Sequence, residues 1–421
     1  MSRSKGYWIK TLSKFVSVQL VVQALGLASG ILLVRTLSKE EYALFTLANS
    51  MQGMMNVLAD SGVSSALSAI GGKVWQDPYR FGQLINTAMR WRRYLAAIAV
   101  IVVTPILFLM LVRNGASISY ALVIIAGILI ELDFYLRIGV QGTVLRLHSQ
   151  IDRIQRLDLL GASSRVAILG ASFSFLNTGI GIFSSTIASG LQALTLSRWT
   201  REVINIKVDV NKSDQDNISK IVVSQVPNAV FFCIQGQLTV WLISVYGNTQ
   251  SIAEVGALGR VGAIFAVAGS VMANIILPGF SRLQSNNSLL KAYLSILMVL
   301  SLFGALLVGF SIFLPAPFLW ILGNKYTHLK EELVLAVINL VFSYIVGNMW
   351  SINSSRAWIN YSWINIPLTI MAQVFLLTII DASTVKGALL FSILSSVPAF
   401  IINCFLAYRG LSSYTRSNLT L

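Results

Sequence analysis

Windows of about twenty apolar residues recur from one end of this 421-residue chain to the other, and few folds accommodate that pattern. At about 1.5 Å per residue a helix of that length matches the hydrocarbon thickness of a bilayer. The expected spans are 12–34, 42–70, 94–112, 118–143, 157–176, 180–198, 220–245, 254–280, 292–314, 332–355, 361–380 and 385–408. Only 11% of residues are charged and 55% are apolar, whereas a soluble domain carries about a quarter charged residues. No soluble core could bury so much apolar surface, so lipid must be the solvent for most of the chain. The fold class expected is an all-α membrane protein with about twelve transmembrane helices.

The formal net charge of +15 would suggest nucleic acid in a soluble protein. Here the basic residues sort into alternate connections, as topology requires, so no nucleic-acid partner is expected. One side holds 22 of them, among them Arg80, Arg90, Arg92, Arg93, Arg153 and Lys212; the other holds six, including Arg35, Lys325, Lys330 and Lys386. Positive-inside bias then places both termini in the cytoplasm, where basic groups can also meet anionic headgroups of membrane lipids. The basic N-terminus runs straight into the first span, which reads as an uncleaved helix rather than a signal peptide. The polar stretch 199–219 divides the spans six and six. This gives an expected N-terminal bundle 1–198, a cytoplasmic linker 199–219 and a C-terminal bundle 220–421. Glu41-Tyr42-Ala43-Leu44-Phe45 resembles Glu254-Val255-Gly256-Ala257-Leu258 at the start of the second and eighth spans, which supports two related halves around a central cavity.

Polar side chains inside these spans are the candidates for function, because a charge at the bilayer centre costs about 3 kcal/mol and faces inward. Asn49, Gln52, Asn56, Asp60 and Ser64 share one face of the second span, which points to a water-filled cavity. Weaker sets, Gln19, Gln23, Gly26 and Gly30 in the first span, Gln225, Asn228, Gln235 and Gln237 in the seventh, Asn339, Ser343, Gly347 and Ser354 in the tenth, fit a cavity or interhelical packing equally. Asp133 and Arg137 are four apart and can pair within one helix; Glu131 has no local partner. Arg165 lies two turns from Asp158, and Arg260 has no carboxylate in helical phase. Arg260 is therefore the leading cationic candidate, with Arg165 beside it. Asp60, Glu131 and Asp133 are the candidates for a coupling ion, proton or sodium.

Catalytic chemistry is sparse. His148 and His328 belong to no metal-ligand or nucleophile–base pattern, and no phosphate-binding glycine loop is present. Cys233 and Cys404 sit in apolar segments as small core residues. No enzyme activity, cofactor or metal is expected.

Three stretches resemble polysaccharide flippases of the O-antigen, or Wzx, type, within the multidrug/oligosaccharidyl-lipid/polysaccharide exporter superfamily. They are Leu33-Val34-Arg35-Thr36-Leu37-Ser38-Lys39-Glu40-Glu41-Tyr42-Ala43-Leu44-Phe45, Asp60-Ser61-Gly62-Val63-Ser64-Ser65-Ala66-Leu67 and Leu277-Pro278-Gly279-Phe280-Ser281-Arg282-Leu283. The resemblance implies a bacterial inner-membrane flippase that moves polyprenyl-diphosphate-linked oligosaccharides outward for surface polysaccharide or lipopolysaccharide assembly, alongside polysaccharide polymerase machinery. It also implies basic cavity residues, for which Arg35 and Arg260 are matches. An ion-coupled multidrug exporter and a membrane polysaccharide polymerase are the alternatives.

Overall fold

The computed structural model describes residues 5–417 except 149, 206–207, 273–275, 278–279, 281–285, 357 and 359–360. The described residues divide into two compact units, Met1–Val240 and Trp241–Leu421, and all regular structure among them is helical. The first unit contains α1 (Lys5–Thr36), α2 (Lys39–Asp60), α3 (Val63–Val74), α4 (Pro78–Arg113), α5 (Ile118–Leu147), α6 (Ile151–Ala171), α7 (Thr178–Arg201) and most of α8 (Lys212–Tyr246). The second contains α9 (Thr249–Gly259), a 3-10 turn at Arg260–Ala263, α10 (Ile264–Val271), α11 (Asn286–Phe313), α12 (Pro315–Leu322), α13 (Lys330–Ser355), α14 (Asn365–Leu377), α15 (Val385–Ser395) and α16 (Val397–Ser417).

Each of the twelve expected spans falls on helix where it is described. Among the described residues, six stretches are long and apolar enough to cross a bilayer unaided: Ser17–Thr36, Pro78–Arg113, Thr178–Arg201, Asn287–Phe313, Lys330–Ser355 and Val385–Ser412. Others are interrupted. The second span breaks into α2 and α3 at Ser61 (φ 29°) and Gly62 (φ 94°), a left-handed turn that glycine adopts without a Cβ penalty. The eighth passes through the 3-10 turn at Arg260 before α10. Outward faces are apolar: Met298, Leu302, Leu306 and Phe310 form an exposed stripe down α11. With i, i+4 spacing that stripe meets lipid, as a multi-pass membrane protein requires.

The helix starts are capped by side chains. Ser38, Asp77, Ser117, Asn177, Asn248 and Thr384 each accept a backbone N–H from the first turn of α2, α4, α5, α7, α9 and α15, which satisfies donors that hydrocarbon cannot. Pro78 follows Asp77 at the first position of α4, where its missing N–H costs nothing. α4 therefore begins sixteen residues before the expected span at 94.

The connection after α7 is packed rather than slack. Ile204 and Ile218 join Phe81, Leu84, Ile85, Val140 and Val144 in one core of the first unit. Asn205 N–H donates to Pro78 O (3.2 Å), and Asn86 Nδ2 donates to Val208 O (2.8 Å). Arg80 grips the buried Asp214 at the head of α8 with both guanidinium nitrogens, Nη2 at 2.6 Å from Oδ1. Gly82 allows this approach, because a Cβ there would lie 1.9 Å from Asn205 O. Gly82→Ala should therefore unseat the connection, with faster tryptic cutting at Arg201 and Lys212 and a lower melting temperature. Gly72→Ala, where a Cβ would meet nothing within 4 Å, should change neither.

Candidate functional site

The break in the second span creates the site. Asp60 closes α2, and its Oδ1 accepts from the backbone N–H of Ser64 (3.3 Å) and from Ser64 Oγ (2.7 Å), so the carboxylate caps α3. Arg92 reaches the same oxygen from α4 through Nη2, which also donates to Ser64 Oγ at 3.0 Å. Its Nη1 donates to Leu136 O on α5 (3.4 Å), and the guanidinium lies 5.9 Å from the Tyr135 ring centroid. Arg92 is 2% exposed. Gly139 makes the room, since a Cβ there would lie 1.9 Å from Arg92 Nη1. One turn or two along α5, Arg146 donates to Thr143 Oγ1 (2.8 Å), and its charge interacts with those of Arg92, Asp158 and Asp60.

About two turns along α2 from Asp60, Gln52 is buried and hydrogen-bonds the Glu131 carboxylate of α5. Ser189 Oγ on α7 donates to Glu131 Oε1 at 3.5 Å, and the positive charge of Arg165 on α6 acts on the same carboxylate. The first unit thus gathers Gln52, Asp60, Glu131 and Arg165 into its interior from four helices. Asn56 lies half-buried between the two clusters, while Asn49 is exposed. Asp133 and Arg137 pair within α5 at 2.7 Å, both side chains nearly half exposed.

The remaining candidates lie elsewhere. Arg35 is exposed in the last turn of α1, and Arg260 is half-buried at the junction of α9 with the 3-10 turn; both are engaged in interactions of their own. In α13, Asn353, which was not among the sequence candidates, is fully buried and donates to Asn403 O (3.0 Å) and Oδ1 (3.1 Å) on α16, a packing clamp of the kind membrane bundles use. The side chains of Gln225, Asn228 and Gln237, and residues Pro278, Gly279 and Ser281–Leu283, lie outside the described residues. No group of three His, Cys, Asp or Glu suited to a metal occurs among the described residues.

Arg92 is the residue that sequence reading missed. It was counted with the cytoplasmic connection because it precedes the apolar window starting at 94. The Asp77-Pro78 pair, an N-cap followed by proline, was the available signal that the helix starts far earlier.

No protein-family model matches the sequence, and no curated protein matches it. Solved structures do match the fold. The lipid II flippase MurJ in its inward closed conformation aligns with a TM-score of 0.70 at 14% identity, over 96% of this chain and 90% of that one. A multidrug resistance MATE family transporter of the MOP superfamily, inward-facing, aligns at 0.68 and 14% identity, over 95% and 99%. An outward-facing one aligns at 0.57 and 15%, over 96% and 95%. The chain has the fold of MOP-type transporters.

Asp60 and Arg92 form an ion pair in which the arginine side chain is 3% exposed and the carboxylate 29%. Removing one partner of a fully buried pair costs about 3–5 kcal/mol because it strands the other, and replacing both with apolar groups is often neutral; here the half-shielded Asp60 keeps Ser64 as a donor, so the cost falls below that range. Arg92→Met should lower thermal stability sharply, and Asp60→Leu with Arg92→Met should restore most of it. Transport assayed in the restored double variant then separates roles: activity lost assigns the pair to the substrate path, and activity kept assigns it to packing.

Proposed function

We propose that this protein is a flippase for polyprenyl-diphosphate-linked oligosaccharides, carrying complete repeat units from the cytoplasmic to the outer leaflet of a bacterial inner membrane. The observation that supports this over drug export is the pairing of the interior carboxylates. A site for small cationic drugs needs an acidic group to spare. Asp60 is held by Arg92 and Asp133 by Arg137, so two of the three carboxylates that favoured the exporter alternative are paired with arginine, and the third, Glu131, lies within the field of Arg165. Arginine suits the opposite cargo, since its planar fork binds phosphate oxygens bidentately.

The fold neighbours span both readings, a lipid II flippase and multidrug transporters. The pairing and the flippase-like stretches around Arg35–Phe45 and Asp60–Leu67 support the first. In this reading Arg165, Arg260 and Arg35 attract the diphosphate. Asn49, Gln52 and Asn56 hydrogen-bond sugar hydroxyls, and the polyprenyl tail stays in lipid. The site opens alternately to each side, because a diphosphate with its sugars cannot enter hydrocarbon, where each unpaired polar group costs several kcal/mol. With both termini cytoplasmic and the interior negative, outward movement of a dianion gains about 4–5 kcal/mol per 100 mV. Glu131 and Asp60 carry any coupling proton or sodium ion, released when their arginines turn to the phosphates. No covalent chemistry is assigned to the chain; it works beside the polymerase machinery.

Deletion of the gene in its host, followed by analysis of polyprenyl-linked sugars with an externally added membrane-impermeant glycosidase, tests the reading. Complete repeat units should accumulate inaccessible to the enzyme, and surface polysaccharide should disappear. Normal delivery of single units to the outer leaflet would overturn it.

A further inference from the structure

One end of the second unit is basic and has no acidic side chain to answer it. From 255 to 421 the sequence contains three acidic residues, Glu331, Glu332 and Asp381. Glu331 and Glu332 open α13, where Lys386 of α15 pairs with the first and stands 3.9 Å from the second. Asp381 Oδ1 accepts from Ser383 N–H (3.0 Å) just before α15. All three therefore lie at the end where α13 and α15 begin. The opposite end is where α13 and α16 stop and α11 and α14 begin. Leu289 and Tyr293 of α11, Ile352 of α13 and Ala407 of α16 pack there in one core, against Trp358 of the connection between α13 and α14. Lys291, Arg356 and Arg409 belong to this end.

The connection is tied to α16 in two places. Gly410 leaves room for Trp358, since a Cβ there would lie 2.1 Å from the indole. Tyr361 sets its ring nearly perpendicular to that of Phe405, with centroids 6.2 Å apart. Arg409, next to Gly410, lays its guanidinium over the Tyr361 ring at 4.5 Å and lies 5.8 Å from the centroid of Phe405. A guanidinium stacked on an aromatic face keeps its edge N–H groups free. Arg409 is exposed, and among the described residues no carboxylate pairs with it.

The surface leading up to this cation is apolar. Ile401, Phe405 and Tyr408 share an exposed face of α16, and Leu368, Met371 and Phe375 share one on α14, with Trp363 exposed at its head. Arg409 stands near the end of the span Val385–Ser412. Aromatic rings and a cation at the end of an apolar face mark the headgroup level of a bilayer.

We propose that Arg409, seated on Tyr361 and Phe405, binds the phosphate of an anionic phospholipid whose acyl chains lie along the exposed faces of α14 and α16. The free edge of the guanidinium takes two phosphate oxygens at once. With no acidic side chain at this end of the unit, nothing meets the ammonium of a zwitterionic headgroup, so the anionic one matches better. The apolar faces beside the cation favour a lipid over free phosphate. The two rings fix where the phosphate sits, which sets Arg409 apart from an arginine that only reaches toward water. The site goes beyond the cargo reading, since it holds for a flippase and an exporter alike.

The test uses full-length protein reconstituted in phosphatidylcholine with a minor share of phosphatidylglycerol, then released for native mass spectrometry to read which lipid stays bound. Phosphatidylglycerol should be retained in preference to phosphatidylcholine. Arg409→Gln should cut its retention at least fivefold with phosphatidylcholine unchanged. Tyr361→Leu, which keeps the charge, should cut it at least twofold, and decides the matter if Arg409→Gln fails to fold. Arg198→Gln, at an exposed arginine near the end of α7, should change it less than twofold. Equal retention of both lipids by the unaltered protein, retention that survives Arg409→Gln, or an equal loss in Arg198→Gln would overturn the proposal. So would displacement of the lipid by inorganic phosphate, which would make this a site for free anions.

Discussion

A guanidinium shut away from water must find its anion inside the protein, and the first unit is arranged around that demand. Arg92 is almost fully buried, and the anion it finds, Asp60, exists as a free cap only because α2 stops there. The left-handed turn at Ser61 and Gly62 opens the helix, which exposes backbone donors that lipid cannot satisfy. Asp60 takes one of them and the arginine together. Gly139 on α5 then has to lack a side chain, and Leu136 has to turn its carbonyl toward the guanidinium. One charge pair thus constrains the break in one helix, the register of a second and the composition of a third.

The outline of this architecture was legible because hydrophobic runs and helix caps are local properties. Twelve apolar windows follow from residues within a few turns of each other. Partnerships across helices were not legible. Asp60 and Arg92 are 32 residues apart, and no period connects them. Asp133 and Arg137, four apart, were paired correctly from spacing alone, whereas Glu131 looked solitary because its neighbours come from α2, α6 and α7. The connection 199–219 reads as a polar linker, yet Ile204 and Ile218 anchor it in a core. The seven apolar residues of the run, Trp199, Val203, Ile204, Ile206, Val208, Val210 and Ile218, are interspersed with polar ones and form no continuous apolar window.

Electrostatic balance inside the first unit narrows what the interior can hold. A low-dielectric region tolerates charge only as compensated groups, so a cargo that brings its own charge must displace one member of a pair. An anion competes for the arginines and frees the carboxylates, which then need a proton or a metal cation in exchange. A cation would do the reverse and leave arginines stranded, and arginine cannot shed its proton to relieve that. In the flippase reading proposed above, the exchange runs one way: an anionic headgroup takes the arginines, and a proton or cation takes the carboxylates they leave.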